Sequence, residues 1–298
     1  MPRRATPHPE LVGCAFTAEQ AANFGVTLGQ LRGPAYRRVL RRAYTTVDTP
    51  DSAELRAMAV RAVLPPRAVV WKTAAAWLWG VDIRRSGDLD LDVAFPESSR
   101  LRPQPGLRVA LLTVDEEDVC TTQGIRGTTP TRTAFDCLRY ARRPDGVIVA
   151  DHLTNNGLCT LEELSAYVAA RRAMRNIRVA RRELVDVEPL AQSVQETRTR
   201  LLLIDGGLPR PVAQHRVDFP EGDSAYLDLA YPELKIGIEY DGEAWHKEQR
   251  AKDERRRRRL ERLGWRIIVL HAQDLFRTPD QTLADIRRAL RYGSQTRG

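Results

Sequence analysis

Two short hydrophobic runs in the last third of the chain, each carrying one acidic residue, most constrain how this sequence can fold. Residues Tyr226–Ala230 and Lys235–Tyr240 both alternate apolar and polar positions, and a Tyr-Pro-Glu turn at 231–233 separates them. A period of two with a tight turn predicts an antiparallel hairpin. Asp228 lies on the first strand and Glu239 on the second, so the hairpin brings two carboxylates to one end or one face of a sheet.

The segments around the hairpin predict an α/β unit, a mixed sheet flanked by helices. A helix is expected to begin after Ser193, with Glu196 at its third position as in a capping box. The further elements are expected, in order, as a strand at Val212–Val217, a helix at Gln249–Arg262, a strand at Trp265–Leu270 and a helix at Pro279–Leu290. The chain order is therefore helix, three strands, helix, strand and helix.

Acidic residues on neighbouring strands are typical of a divalent-cation site. Mg²⁺ is held by carboxylate oxygens, waters and substrate phosphate, and such an ion can activate water and neutralise charge on a scissile phosphate. Asp228, Glu239 and Asp241 are the candidate ligands. Because three carboxylates in one place would repel one another without a cation, the sequence predicts a site for Mg²⁺ or Mn²⁺.

Residues 195–291 also carry an ordered series of short motifs. The motifs are Glu196-Thr-Arg-Thr-Arg-Leu, Gly207-Leu-Pro-Arg-Pro, Leu227-Asp-Leu-Ala-Tyr-Pro, Ile238-Glu-Tyr-Asp-Gly with His246, Asp253 followed by Arg256, and Leu263-Gly-Trp265. Together they closely resemble the Glu-x-Asp-Gly type of the very-short-patch-repair-like endonucleases, a branch of the PD-(D/E)XK superfamily. The resemblance implies a restriction-endonuclease-like fold and phosphodiester hydrolysis.

The resemblance also implies roles for further residues. In the superfamily a lysine usually follows the second acid by two positions, where it steadies the attacking water or the phosphate. Here that residue is Asp241, which would be a third metal ligand or a general base. His246 would shuttle a proton with a pKa near neutrality, and Lys247 or Lys252 would supply the missing cation. Glu196 joins these residues as a further catalytic candidate.

Each acid also has a purely structural interpretation. Asp228 alternates with leucines and fits the exposed face of a strand. Glu239 and Asp241 fit the end of a strand followed by an Asp-Gly turn. Glu196 fits a helix cap. Their joint occurrence in this order favours a functional site.

The charge of the chain favours nucleic acid as a partner. The sequence has 47 Lys and Arg against 39 Asp and Glu, for a net charge of +8, and a basic excess attracts polyanions such as DNA. Candidate phosphate contacts on the helix after the hairpin are Lys252, Arg255, Arg256, Arg258, Arg259 and Arg262, of which Arg256 points away from the main basic face. A second candidate set, spaced as one stripe of a helix, is Arg171, Arg175, Arg178 and Arg182. Phosphates, or carboxylates of a neighbouring domain, would balance that stripe.

Residues 1–50 predict a winged-helix module. A helix capped by Thr17 ends near Gly25, a second helix begins at Leu28, and a basic wing follows at residues 37–44. This segment resembles the N-terminal domain of AbiE-type antitoxins and related transcriptional regulators. The resemblance implies DNA contacts by Arg37, Arg38 and Arg41.

Residues 51–188 predict an α+β middle region, and the segment after Thr128 also resembles the AbiE antitoxins. Residues 189–298 are then the nuclease domain. Ser52–Leu64 predicts an amphipathic helix and Leu89–Phe95 a half-exposed strand. The strand would place three aspartates on one face, namely Asp88, Asp90 and Asp92. That face is either solvated or a nucleotidyltransferase metal site, although the Gly-Ser motif of that family does not precede it.

The cysteines and the apolar segments indicate a cytoplasmic protein. Cys14, Cys120, Cys137 and Cys159 are widely spaced and form no Cys-x-x-Cys pair, which is typical of reduced thiols. The N-terminus lacks the apolar stretch of a signal peptide. The most apolar stretch, at 68–81, is too short to span a bilayer, so no membrane association is expected.

The sequence therefore predicts a DNA-binding, metal-dependent endonuclease that acts in DNA repair or defence. One alternative is a non-catalytic, antitoxin-like DNA-binding regulator that keeps the nuclease fold as a scaffold. Another is a toxin that acts on RNA or nucleotides. A homodimer, or a complex with a toxin or repair protein, is compatible with each of these.

Overall fold

The computed structural model of the chain describes residues 6–84, 88–96, 105–241 and 247–295, with the side chains of 247–252 and 293–295 outside the description. The chain divides into two compact units. Unit 1 comprises residues 1–149 and 162–181, and unit 2 comprises residues 150–161 and 182–298. Among the described residues, no helix combines the length and the apolar character that crossing a bilayer requires.

The helices and strands are numbered here in chain order. Those up to the start of the C-terminal sheet region are α1 Ala18–Ala22, α2 Leu28–Leu31, β1 Tyr36–Leu40, β2 Ala43–Thr46, α3 Ala53–Val63, β3 Val69–Val70, α4 Lys72–Leu78, β4 Leu91–Phe95, β5 Leu107–Leu111, β6 Val119–Thr122, β7 Ile125–Thr128, α5 Pro130–Tyr140, α6 Asp145–Asn155, α7 Leu161–Ala170 and α8 Ile177–Leu184. Those that follow are α9 Val194–Asp205, β8 Val212–Asp218, β9 Ser224–Tyr231, β10 Ile236–Tyr240, α10 Lys247–Arg262, β11 Arg266–Leu270, α11 Ala272–Phe276 and α12 Pro279–Gln295.

Unit 1 begins with the predicted winged-helix module. The Thr17 hydroxyl accepts a hydrogen bond from the Gln20 N–H, and the Gln20 side chain accepts one from the Thr17 N–H, so α1 starts with a capping box. The wing is a hairpin in which β1 and β2 pair antiparallel. Phe16, Leu31 and Tyr44 are buried in its core.

The five-stranded sheet of unit 1 has the order β5-β4-β3-β7-β6. The predicted half exposure of β4 is wrong, because all five of its residues are buried. As an inner strand, β4 packs Leu91 and Val93 into one hydrophobic cluster and Ala94 into another. Asp92 is balanced by the Arg108 guanidinium at 2.9 Å.

The neighbouring aspartates are balanced by arginines as well. Arg108 also pairs with Asp88 at 2.7 Å, and Arg41 pairs with Asp90 at 3.5 Å. Guanidinium groups thus provide the positive charge that this acidic strand requires. The arrangement supports the structural interpretation of the three aspartates over a nucleotidyltransferase site.

The predicted continuous stripe of arginines is also wrong. Helix α7 ends at Ala170 and α8 begins at Ile177, so Arg171 and Arg175 lie in the connection between them. The left-handed backbone of Asn176, at φ 61°, interrupts the helical path. The Arg171 guanidinium stacks 3.2 Å from the Tyr167 ring centroid and pairs with buried Asp118 at 3.4 Å.

Unit 2 contains the four-stranded mixed sheet that the acidic hairpin predicted. Its order is β11-β10-β9-β8; β8 and β9 pair antiparallel, as do β9 and β10, and β10 pairs parallel with β11. One cluster packs Ile236 and Ile238 with residues of α9 and α12. A second cluster packs Leu227 against Leu260 of α10 and Trp265. The predicted order of helices and strands is confirmed, with α11 as an additional short helix.

A buried ion pair attaches α9 to the end of α6 within unit 2. The Arg200 side chain is fully buried, and its Nη2 lies 2.6 Å from Oδ2 of Asp151. The Thr197 hydroxyl donates to the same carboxylate at 2.7 Å, and the Glu188 N–H donates to its other oxygen at 2.7 Å. These contacts fix the N-terminal half of α9, the helix that carries Glu196.

Replacement of Asp151 by alanine should destabilise unit 2 by about 3–5 kcal/mol, because it leaves the buried Arg200 guanidinium without an anion. Urea unfolding followed by circular dichroism measures the change. The control is Asp218→Ala, which breaks the exposed Arg216–Asp218 pair and should change stability by less than about 1 kcal/mol. Equal effects of the two substitutions would contradict the assigned role of Asp151.

Candidate functional site

The pairing of β9 with β10 stops where the two predicted acids are located. The last described pair of this ladder is Ile238 opposite Leu229. The next inward N–H, that of Tyr240, donates at 3.0 Å to the Oδ2 atom of Asp228 and not to a carbonyl of β9. Strand β10 meanwhile continues its parallel pairing with β11 up to Leu270. The Asp228 carboxylate therefore lies in the gap between two separating strands.

The electrostatic environment of Asp228 is that of a partly buried acid among other acids. Burial is the largest effect, and together with the nearby negative charges of Glu196 and Glu239 it raises the pKa of Asp228 to about 6. The Tyr240 N–H and the Arg256 guanidinium lower this pKa and only partly offset the increase. Three carboxylates from α9, β9 and β10 are thus close enough to interact.

Glu239 is nearly buried, at 5% exposure, and faces two arginines of α10. Its Oε1 atom lies 2.7 Å from Arg256 Nη2, and its Oε2 atom lies 3.6 Å from Arg257 Nε. Arg257 Nη2 lies 3.7 Å from Asp241 Oδ2. The Arg256 contact lacks hydrogen-bond geometry, so among the described residues Oε1 of Glu239 has no hydrogen-bond partner.

Glu196 approaches the same region from the first turn of α9. The Ser193 hydroxyl accepts a hydrogen bond from the Glu196 N–H, which confirms Ser193 as the N-cap. The Glu196 side chain, however, accepts from the Gln192 N–H at 3.0 Å and from Gln214 Nε2 at 2.8 Å. It therefore does more than the capping interpretation requires, because it also connects α9 to β8.

Gln214 has an unusual backbone for a strand residue. Its φ of 47° is left-handed, which is uncommon for residues other than glycine. It lies between the pairs Ala213–Leu229 and His215–Leu227, at the level of Asp228. Local strain of this kind concentrates at functional sites.

The predicted set of three carboxylate ligands is not assembled in the structure. Among the described residues, no group of three or more His, Cys, Asp or Glu side chains is placed to hold a metal ion. Asp228 is held by the Tyr240 N–H, whereas Asp241 faces Arg257. Two carboxylates with waters and a substrate phosphate suffice for Mg²⁺. Asp228 and Glu239 fit that smaller set, since Oε1 of Glu239 contacts Arg256 but, among the described residues, accepts no hydrogen bond.

Several predicted residues lie outside the description. His246 is not among the described residues, and the side chains of Lys247 and Lys252 are outside them as well. Their proposed roles as proton shuttle, catalytic cation and phosphate contact stay predictions.

The basic face of α10 forms an open groove. A cavity of about 750 Å³ is lined by Arg255, Arg258, Arg259, Glu261 and Arg262. Arg259 pairs with Glu221 at 2.8 Å and with Asp223, and stacks 3.8 Å from the Phe219 ring centroid. The turn between β8 and β9 therefore occupies part of this face. Arg256 points away from it, toward Glu239, as the helical spacing predicted.

The other arginines predicted to contact DNA differ in exposure and in the contacts that they make with neighbouring groups. Arg37 donates to the Thr49 carbonyl at 2.7 Å, whereas Arg38 is exposed and lies over the Tyr44 ring at 5.6 Å. Arg175 and Arg178 are exposed, and exposed Arg182 pairs with buried Glu183 at 2.8 Å. Their contacts with DNA stay predictions.

Sequence reasoning did not identify Arg257 and Gln214 as parts of the site. Arg257 belongs to an arginine run whose spacing predicts either a DNA-binding face or a solvated helix paired with nearby acids of the same segment, and neither prediction includes the acids of the hairpin. The unusual Asp241, in the position of a lysine, was a signal that a cation must come from elsewhere. For Gln214 the sequence contains no such signal, because its role depends on a left-handed backbone.

Comparison with known proteins adds two family matches and two relatives. Residues 212–290 match the restriction-endonuclease-like family model REase_MTES_1575, and residues 67–187 match the AbiEi antitoxin C-terminal domain. Two uncharacterized proteins, from two strains of Mycobacterium tuberculosis, are each 30% identical over 228 residues, which cover 75% of this chain and 81% of theirs. The matches bear out a restriction-endonuclease-like C-terminal region and an AbiEi-like middle region.

The raised pKa of Asp228 predicts a specific pH dependence of stability. A carboxyl whose folded-state pKa of about 6 exceeds its ordinary value of 3.8 favours folding at low pH, and this contribution is lost as pH rises from about 4 to 6. Asp228→Asn keeps an acceptor for the Tyr240 N–H but cannot ionise. At pH 7.5 the variant should be more stable than wild type by up to about 3 kcal/mol, and the difference should disappear near pH 4.

Chemical denaturation of both proteins at several pH values measures this difference. Asp218→Asn, at an exposed position of β8, is the matched control. Its free energy of unfolding should equal that of wild type at every pH. A constant difference between Asp228→Asn and wild type from pH 4 to 7.5 would contradict the assignment.

Proposed function

This chain belongs to the same family as the two mycobacterial proteins, and we propose that it is a DNA-binding, divalent-cation-dependent endonuclease. The observation that carries the proposal is the buried, incompletely paired Glu239 beside Asp228. Both residues lie within the segment that matches the restriction-endonuclease-like family model. Arg256 and Arg257 balance the charge of Glu239, but among the described residues its Oε1 atom accepts no hydrogen bond, which leaves that oxygen available as a metal ligand.

The residues of the site would divide the work of phosphodiester hydrolysis. Asp228 and Glu239 would hold Mg²⁺ or Mn²⁺, which when bound supplies an activated water and neutralises phosphate charge. The Tyr240 N–H orients the Asp228 carboxylate. Asp241, with 29% of its side chain exposed, is the candidate acceptor for the proton of the attacking water. Glu196 accepts a hydrogen bond from Gln214 and thereby connects α9 to β8.

Substrate binding would use the basic face of α10 and the winged-helix module. Phosphate contacts by Arg255, Arg258 and Arg262 would add a salt-dependent, sequence-independent affinity for DNA. The exposed Arg38 of the wing and the exposed Arg175 and Arg178 of unit 1 are further candidates. Repair or defence is the setting in which such a nuclease acts. We also propose that this nuclease is related to the very-short-patch-repair branch. Its partner protein would be a toxin or a repair protein.

Alanine substitution of Asp228 or of Glu239 should each abolish Mg²⁺- or Mn²⁺-dependent DNA cleavage, lowering the rate by at least about 100-fold, the scale expected for loss of an essential catalytic group. The measurement uses purified full-length protein and a panel of duplex, nicked, mismatched, branched and single-stranded DNA. Asp218→Ala is the control and should cleave like wild type. Unchanged cleavage by both site variants would overturn the assignment of the site.

A second candidate function is a non-catalytic, antitoxin-like DNA-binding regulator. The AbiEi match over residues 67–187 and the winged-helix module favour it, because neither requires a nuclease. The same panel separates the two proposals. Tight, metal-independent binding to one promoter sequence without turnover of any substrate would favour the regulator. Turnover of RNA or nucleotides alone would indicate the toxin-like alternative.

A further inference from the structure

Two neighbouring arginines of α10 balance the acids of the proposed site. Arg256 lies 2.7 Å from Glu239, and Arg257 lies 3.6 Å from Glu239 and 3.7 Å from Asp241. Both guanidinium side chains are about one-third exposed, at 31% and 32%, whereas that of Glu239 is 7% exposed. The acid is therefore fixed, and the two cations reach it from the solvent side.

The pairing of Arg257 is loose compared with a fully formed ion pair in the same unit. Arg200 and Asp151 are both buried and lie 2.6 Å apart, within the range of strong charge-assisted contacts. The contacts of Arg257 are about 1 Å longer. Its Nε atom is buried and, among the described residues, has no hydrogen-bond partner, which is also true of Oε1 of Glu239. Both atoms belong to this one cluster and have ionic contacts without a hydrogen bond, Oε1 of Glu239 with Arg256 and Nε of Arg257 with Glu239.

Arg256 is held more firmly than Arg257. Besides Glu239, its guanidinium donates to the Tyr226 carbonyl at 3.2 Å, on the part of β9 that lies beyond the described pairing with β10. This second contact fixes Arg256 across the gap between the strands. Arg257 is the more weakly held of the two cations, because both of its ion-pair contacts are long.

We propose that Arg257 is an exchangeable counter-ion: without metal it neutralises Glu239 and Asp241, and once a divalent cation binds Glu239 it turns to the scissile phosphate. The inference rests on the proposed nuclease function. A divalent cation and a guanidinium compete for the same carboxylate and repel each other. A phosphodiester bound by both cations would remove this competition and reduce the repulsion. The planar guanidinium group can donate to two of its oxygens at once.

The exchange couples metal binding to DNA binding. Metal releases Arg257 for the phosphate, so metal should strengthen DNA binding, and DNA should strengthen metal binding by the same factor. Removal of Arg257 therefore has two effects of opposite sign. Metal binds more tightly without DNA because its competitor is gone, whereas the metal-dependent gain in DNA affinity is lost. A purely structural role for Arg257 predicts weaker binding of both.

The test compares full-length wild type, Arg257→Ala, Arg257→Lys and Arg288→Ala. Arg288 lies on α12 of the same unit and pairs with Asp285 on an exposed surface, so it is the matched control. Mn²⁺ binding without DNA is measured by electron paramagnetic resonance. Binding of a labelled DNA oligonucleotide is measured by fluorescence anisotropy in EDTA and in Ca²⁺. Circular dichroism establishes that each variant is folded.

For wild type, Ca²⁺ should tighten DNA binding about tenfold, within the range of ordinary coupling energies. Arg257→Ala should bind Mn²⁺ several-fold more tightly than wild type, with less than about twofold enhancement of DNA binding by Ca²⁺. Arg257→Lys should lie between the two, since it keeps the charge but loses the fork. Arg288→Ala should bind Mn²⁺ like wild type and keep the full enhancement.

The outcomes separate the exchange from the nuclease function itself. If wild type cleaves DNA with metal but Arg257→Ala binds Mn²⁺ no more tightly, or keeps the Ca²⁺ enhancement, the exchange is overturned and the nuclease function stands. If wild type neither binds Mn²⁺ nor cleaves any DNA, both proposals fail. Unfolding of Arg257→Ala would leave the decision to Arg257→Lys, whose wild-type behaviour in both assays would contradict the exchange.

Discussion

The hydrogen bond from the Tyr240 N–H to the Asp228 carboxylate is the contact on which the rest of the site depends. It replaces a backbone pair at the level where β9 and β10 separate. Because the Asp228 side chain takes the place of a backbone carbonyl, the Tyr240 N–H keeps a hydrogen bond while the two inner strands of the sheet separate. The gap admits Arg256, which contacts both Glu239 and the Tyr226 carbonyl. The position of Asp228, the separation of β9 from β10 and the contacts of Arg256 therefore all depend on one local interruption of strand pairing.

The remaining framework supports this departure from both sides of the sheet. On one side, the buried Arg200–Asp151 pair fixes α9, so that Glu196 can reach Gln214 of β8. On the other, Leu260 packs α10 against the sheet and presents Arg256 and Arg257 to the acids. Since the positive charges come from a helix and the negative charges from strands, they can separate without disturbing the sheet. That independence is what an exchange of counter-ions requires.

The sequence predicted the fold of the C-terminal region better than it predicted the electrostatics of the site. The turn before Lys235 and the strands that carry Asp228 and Glu239 followed from alternation alone, because periodicity reports directly which face of a strand is buried. Charge balance depends on contacts between residues far apart in sequence. The pairing of Glu239 with Arg256, and the left-handed backbone of Gln214, therefore had no local signature.

The same reason explains the two corrections in unit 1. Strand β4 alternates like a half-exposed strand, yet Asp92 is buried because Arg108 of the next strand supplies its counter-charge. The arginine stripe had helical spacing, yet Asn176 breaks the helix. Periodicity describes a segment in isolation and does not include the partner that covers it or the residue that ends it.

The most direct test of the central claim is a crystal structure of the protein soaked in Mn²⁺, with anomalous scattering used to locate the ion. We expect one strong anomalous peak between Asp228 and Glu239, with the Arg257 guanidinium displaced from Glu239. The absence of a peak at full soaking concentration, with Arg256 and Arg257 still against Glu239, would contradict it. In that case the acids and arginines of this site would form a structural ion-pair cluster in a protein that binds DNA without cutting it.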